Sequence, residues 1–158
     1  MPKISPFLWF DKEPEQAANF YVSVFPNSKL GEIERYPEGA PGQAGSVMTV
    51  AFELDGEPFM ALNGGPVFKF TEAISFVIDC AAQAEVDDYW EKLTADGGKP
   101  GQCGGLTEMY GLSWQVGPTA ALLETTSGPD PAGRKRAFDA MMRMVKLDVA
   151  KLKAAYAG

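Results

Sequence analysis

Apolar and polar positions alternate in the same way in two parts of the chain. Ile4 to Phe10 is apolar and strand-like, and Pro14 to Phe25 then places Ala17, Tyr21, Val24 and Phe25 at helical spacing. Ala73 to Cys80 reads as a second strand, with Ile74, Phe76 and Ile78 on one face and Ser75, Val77 and Asp79 on the other. Gln83 to Asp96 follows as a helix whose apolar stripe is Val86, Trp90 and Leu93. Ile4 stands as far from Pro14 as Ile74 does from Ala84, and short strands follow each helix. The pattern predicts an α+β fold in which one βαβββ unit is written twice, about 1–66 and 67–118.

Punctuation residues set the remaining boundaries. Lys29 to Tyr36 is a strand, and Pro37 to Gly45, with its prolines and glycines, is a mobile connector. Val47 to Leu54 and Glu57 to Asn63 flank Asp55-Gly56, the pairing a type I′ hairpin turn selects. Asn63-Gly64-Gly65-Pro66 ends the first unit, and Gly97-Gly98 ends the second helix. Lys99 to Cys103, Leu106 to Tyr110 and Leu112 to Gly117 are the closing strands. Asp130-Pro131 starts a helix with the apolar face Phe138, Met141, Met142 and Val145, and Asp148 caps another that carries Val149 and Leu152. Residues 129–158 are thus a helical extension of a body spanning 1–128. Its methionine-rich face either covers the protein's own sheet or meets a partner.

Charge and residue choice narrow the chemistry. The 158-residue chain has a net charge of −7, which argues against nucleic-acid and anionic-membrane partners. Residues 1–129 hold 18 acids and 7 bases, net −11, whereas residues 130–158 hold 3 acids and 7 bases, net +4. No apolar run is long enough to span a bilayer and the N-terminus lacks a signal-peptide pattern, so a cytoplasmic protein is expected. Cys80 and Cys103 are too few for a disulfide framework and read as reduced thiols. The chain has no histidine, which removes the commonest general base and transition-metal ligand and excludes the usual catalytic triad.

A set of motifs, in order, carries a resemblance. Pro6-Phe7-Leu8-Trp9-Phe10-Asp11, Phe20-Tyr21, Phe25-Pro26-Asn27-Ser28, Ala61-Leu62-Asn63-Gly64-Gly65-Pro66 and Tyr110-Gly111-Leu112-Ser113-Trp114-Gln115-Val116, with Ala140-Met141-Met142 and Lys146-Leu147-Asp148, closely resemble the PhnB-like branch of the vicinal oxygen chelate superfamily. Glyoxalase I, bleomycin-resistance proteins and extradiol dioxygenases are other branches. The resemblance implies two βαβββ modules forming a curled mixed sheet around a cavity, commonly completed in a homodimer. In metal-using members four His or Glu side chains point into that cavity. The resemblance places these positions near Ile4, Phe59, Ala73 and Gln115, three apolar residues and an amide, so no metal is expected. The branch is often labelled 3-demethylubiquinone-9 3-methyltransferase. A methyl donor normally lies against a glycine-rich strand-to-helix turn, and neither Asp11-Lys12-Glu13 nor Cys80-Ala81-Ala82 contains glycine; no cofactor is expected.

Period-two alternation predicts that the concave face is lined by Leu8, Ala61, Asn63, Ser75, Val77, Ser113 and Gln115, a mostly apolar pocket with neutral hydrogen-bonding groups. Trp9, Phe76 and Trp114 fall on the opposite faces and are expected beneath the helices. Catalytic residues are not identified: Cys103 has no histidine base beside it, and neither Glu108 nor Asp79 has an evident partner. Three readings follow. The preferred one is a metal-free binder of a small, mostly apolar molecule. The others are an enzyme, including the methyltransferase of the family label, and a structural protein whose homodimer is its purpose.

Overall fold

The computed structural model describes residues 3–158. Its elements are β1 (Phe7–Phe10), α1 (Pro14–Val24), β2 (Lys29–Arg35), β3 (Val47–Leu54), β4 (Glu57–Asn63), β5 (Phe76–Asp79), α2 (Gln83–Thr94), β6 (Lys99–Pro100), β7 (Gly105–Thr107), β8 (Ser113–Gly117), α3 (Thr119–Glu124), α4 (Pro131–Met141) and α5 (Val149–Ala157). The strands form two four-stranded mixed sheets, β1-β4-β3-β2 and β5-β8-β7-β6, neither of them closed. In each, the first strand runs parallel to the last (β1 to β4, β5 to β8) and the remaining pairs are antiparallel. The chain divides into two compact units between Phe70 and Thr71. The doubled βαβββ order and the helical C-terminal part agree with the sequence.

In the first unit Pro14 opens α1, where its missing N–H costs nothing, and Glu15 complements the positive end of the helix. The helix buries Ala17, Ala18, Tyr21 and Val24. Tyr21 stacks on Phe52 with centroids 6.0 Å apart, and Phe52 stacks on Phe59 at 5.3 Å. Phe52 and Val50 alternate on one face of β3, and the register Val50 to Ala61 to Leu8 extends that face across β4 and β1. Asp55 and Gly56 have φ of 49° and 80°, both positive as a type I′ turn requires.

Three local expectations change. The strand read from Ile4 begins only at Phe7, and Ile4 is 99% exposed; Pro6 has no N–H to pair, although its carbonyl accepts from Met60 N at 3.0 Å. Likewise the strand read from Ala73 to Cys80 is only Phe76–Asp79. The connector 37–45 is held rather than free. Tyr36 N donates to Ser46 O at 2.9 Å, Gly45 N donates to Tyr36 O at 2.8 Å, and the Tyr36 hydroxyl donates to Asn63 O. Gly42 lies so close to the Tyr36 ring that any Cβ there would overlap it.

The second unit is built from shorter strands. Helix α2 lays Val86 and Leu93 beneath the sheet, against the face carrying Ile78, Leu106, Trp114 and Val116, all buried. The strands expected over 99–103 and 106–110 shrink to β6 and β7. Glu108, 2% exposed, causes part of this: its carboxylate accepts from Tyr110 N at 3.0 Å and Leu112 N at 2.8 Å. That fixes a turn, with Gly111 at φ 90°, where a strand would otherwise continue.

The extension packs within this unit. Asp130 and Asp148 cap α4 and α5 by accepting from Gly133 N and Lys151 N, each at 3.0 Å; α3 was not foreseen. The Tyr156 ring fills a slot left by Gly128 and Gly133, where a Cβ would come within 2.8 and 2.7 Å of it. Residues 144–149 are tied down by Cys103 N to Met144 O (2.9 Å), Gly104 N to Val145 O (2.7 Å) and the Gln83 amide. That amide donates to Leu147 O at 3.0 Å and accepts from Val149 N at 2.7 Å. Ala137, Leu147 and Leu152 are buried, whereas Phe138, Met142 and Val145 remain exposed. The apolar positions of the tail therefore split between its own core and solvent.

Candidate functional site

Each sheet has one face covered by its helix and one face without a helix. In the first sheet the covered face holds Leu8 at 7% exposure and Ala61 at 0%, in register with Val50. These two are core residues beneath α1, not lining. Asn63 shares their alternation and serves the backbone, donating from Nδ2 to Val47 O at 3.0 Å. The uncovered face instead carries Phe7, Trp9, Met60, Leu62, Thr49 and Ala51. Trp9, expected under the helix, is on this face: its indole lies over Gly64, where no Cβ fits, donates to Gly65 O at 2.8 Å and meets Phe68 edge-on at 4.8 Å. A shallow groove of about 210 Å³ runs beside Gly31, Ala51 and Met60, with the Lys29–Glu53 ion pair (3.4 Å) at its rim.

In the second sheet the sequence assigned the faces as they are. Trp114 lies beneath α2 at 3% exposure with Phe76 against it, ring centroids 5.6 Å apart. The other face presents Ser113 and Gln115 on β8, Val77 on β5 in register with Gln115, and Thr107 on β7 in register with Ser113. Ser75, just before β5, accepts from Gln115 Nε2 at 3.4 Å, a long hydrogen bond. Gly105, opposite Gln115, makes room for that amide, since a Cβ at 105 would lie 3.2 Å from both of its terminal atoms. Val77 is 70% exposed. Ser113 is buried and its Oγ has no hydrogen-bond partner among the described residues. The structure therefore brings Ser75, Val77, Ser113 and Gln115 together and leaves Leu8, Ala61 and Asn63 out. Thr107 was missed, although its place opposite Ser113 follows from the hairpin register.

The other reactive candidates are engaged in structure. Glu108 uses its carboxylate to hold the turn before β8. Burial, and secondarily the nearby Glu85 and Asp79 carboxylates, push the Cys80 thiol up to about 11, which keeps it protonated and inert at neutral pH. Cys103 and Cys80 are both free thiols, and Cys103 Sγ lies 3.8 Å from Met142 Sδ.

The residues do not fit a resident divalent cation. Ile4 and Ala73 are exposed positions outside the strands, and Phe59 stacks on Phe52. Gln115 alone carries a donor atom, and a neutral amide holds such an ion poorly without anionic neighbours. Among the described residues, no three His, Cys, Asp or Glu side chains come together.

Doubled βαβββ modules with a parallel first-to-last strand pair define the fold of the vicinal oxygen chelate superfamily, and solved structures share it. The PhnB protein of Bacillus cereus matches with a TM-score of 0.66 and 35% identity, covering 73% of this chain and 98% of its own. A Pseudomonas aeruginosa protein matches at TM-score 0.60 and 18% identity, covering 73% and 96%. The fosfomycin resistance protein FosX of Listeria monocytogenes matches at 0.52 and 16%, covering 73% and 89%. The chain belongs to the family described as 3-demethylubiquinone-9 3-methyltransferase, whose sequence model matches residues 2–117. No curated protein matches it.

Proposed function

We propose that this protein binds a small, mostly apolar molecule on the uncovered face of the second sheet, without a resident metal, and that the polar end of that molecule meets Ser113 and Gln115. The observation that carries the reading is the buried, unpartnered Ser113 hydroxyl. Such a group costs about 1–3 kcal/mol, and a ligand oxygen would supply the missing bond. Gln115 adds an amide whose present hydrogen bond to Ser75, at 3.4 Å, is readily exchanged. Val77 offers apolar surface next to it. The FosX structure holds Mn(II) and a dihydroxypropylphosphonic acid; here neutral hydrogen-bonding groups take the place of an ion, which favours an uncharged polar end. The family label supplies a reaction name, but neither strand-to-helix link has the glycines a methyl donor would use.

Native mass spectrometry of protein purified without chelator tests this directly. The expected spectrum is metal-free polypeptide carrying a small-molecule adduct, with the adduct lost in Ser113→Ala and Gln115→Ala. Stoichiometric metal, or an adduct indifferent to both substitutions, would sink the reading.

A further inference from the structure

The C-terminal extension lies beyond the family match at residues 2–117, and 98% of the Bacillus cereus protein is accounted for by 73% of this chain. On it, Arg134, Phe138, Met142 and Val145 follow one another at helical spacing, and Phe138, Met142 and Val145 are 50%, 52% and 42% exposed. The neighbouring cations Lys135, Arg136 and Lys146 pair with Asp139, Asp130 and Asp87. Arg134 and Arg143 are exposed and make no ion pair among the described residues. The result is an apolar strip with a free cation towards each end.

The first unit presents the complement. β2 is an edge strand, and all seven of its residues are exposed. Leu30 and Ile33 are each 37% exposed. Lys29 is paired with Glu53 and Arg35 donates to Gly45 O, so the outward charges are Glu32 and Glu34. An uncovered strand edge of this kind invites a partner. We propose that the strip Arg134–Phe138–Met142–Arg143 docks on the β2 edge of a second copy of this chain. Charge favours this occupant: the tail is net +4, the rest of the chain is net −11, and the apolar residues of each surface lie between charges of opposite sign to the other.

Analytical ultracentrifugation of the full chain at micromolar concentration is the test. Wild type self-associates, more strongly at low salt. Arg134→Glu with Arg143→Glu, and separately Glu32→Arg with Glu34→Arg, each raise the dissociation constant by about tenfold or more, because like charges then face each other. Combining all four changes restores association, which a folding defect would not do. Phe138→Ala weakens association while the circular dichroism spectrum stays native. A wild-type monomer, reversals without effect, or failure of the fourfold variant to reassociate would overturn the proposal. So would a monomer that cosediments with phosphatidylserine vesicles, which would assign the strip to a lipid surface.

Discussion

In the first unit, β2, β3 and β4 are seven, eight and seven residues long, and α1 seals an aromatic core of Phe10, Tyr21 and Phe52. In the second, β6 and β7 are only two and three residues long, and α2 buries just Val86 and Leu93 fully. The second unit makes up the shortfall with the extension, which brings in Ala137, Leu147 and Leu152 and ties residues 144–149 to Gln83 and to the turn at Cys103 and Gly104. The same strand and helix order can thus be stabilised from within or from an appended segment, and stability should divide accordingly.

The largest effect expected is from deleting residues 129–158. Leu147 and Leu152 alone bury side chains worth about 1.5–3 kcal/mol each. Hydrogen exchange should show protection collapsing in β6 to β8 and persisting in β3 and β4. Equal loss in both sheets would break the comparison. The converse substitution, Phe52→Ala, removes the ring between Tyr21 and Phe59 and should cost about 3–5 kcal/mol. Its loss of protection should concentrate in the first sheet, as read by exchange on the same peptides.

How far the sequence disclosed this can be argued from the two strands that open the units. Alternation told which residues share a face but not which face a helix covers. For β5 the contrast was plain, since Ile78 is bulky and Ser75 and Asp79 are polar. For β1 both faces are apolar, Leu8 and Phe10 on one and Phe7 and Trp9 on the other, and the covered face was assigned wrongly. The repeat held the correction. If Ile4 corresponds to Ile74, then Leu8 corresponds to the buried Ile78 and not to Val77. What no local pattern could give were the long-range fits: the slot for Trp9 over Gly64, the seat for Tyr36 on Gly42 and the Gln83 clamp on the tail. The Glu108 turn was also hidden, because a carboxylate in an alternating run reads as a solvent-facing strand residue.

A smaller effect is expected at that clamp. Gln83→Ala removes both hydrogen bonds to residues 147 and 149 and should cost about 1–3 kcal/mol. The loss should be read by denaturant unfolding, with exchange rising over 144–149 first. Unchanged stability would mean that buried Leu147 and the Lys146–Asp87 pair at 2.7 Å hold the segment alone.

A milder dependence should come from pH. The Cys80 thiol titrates at about 11 in the folded chain against a model value of 9.0. Between these values the unfolded chain has lost the proton that the folded chain keeps, so stability falls as pH rises through this window and levels off above it. Chemical denaturation across that range should show the decline in wild type and a shallower one in Cys80→Ala. Equal slopes would show that other groups govern alkaline stability.

The smallest change in stability is the most informative for function. Ser113→Ala deletes a buried hydroxyl that has no partner among the described residues. An ordinary buried serine leaves an orphaned acceptor or donor behind when truncated; here no such group exists to be orphaned, and the desolvation penalty of the hydroxyl itself disappears. The ligand-free variant should therefore melt at or slightly above the wild-type temperature, by an amount on the order of 1 kcal/mol or less. If the hydroxyl is kept for a ligand, the same variant should lose the co-purifying adduct while keeping that stability. A variant that melts lower would show the hydroxyl to be bonded within the protein, and the second sheet's uncovered face would lose its strongest claim to be the binding surface.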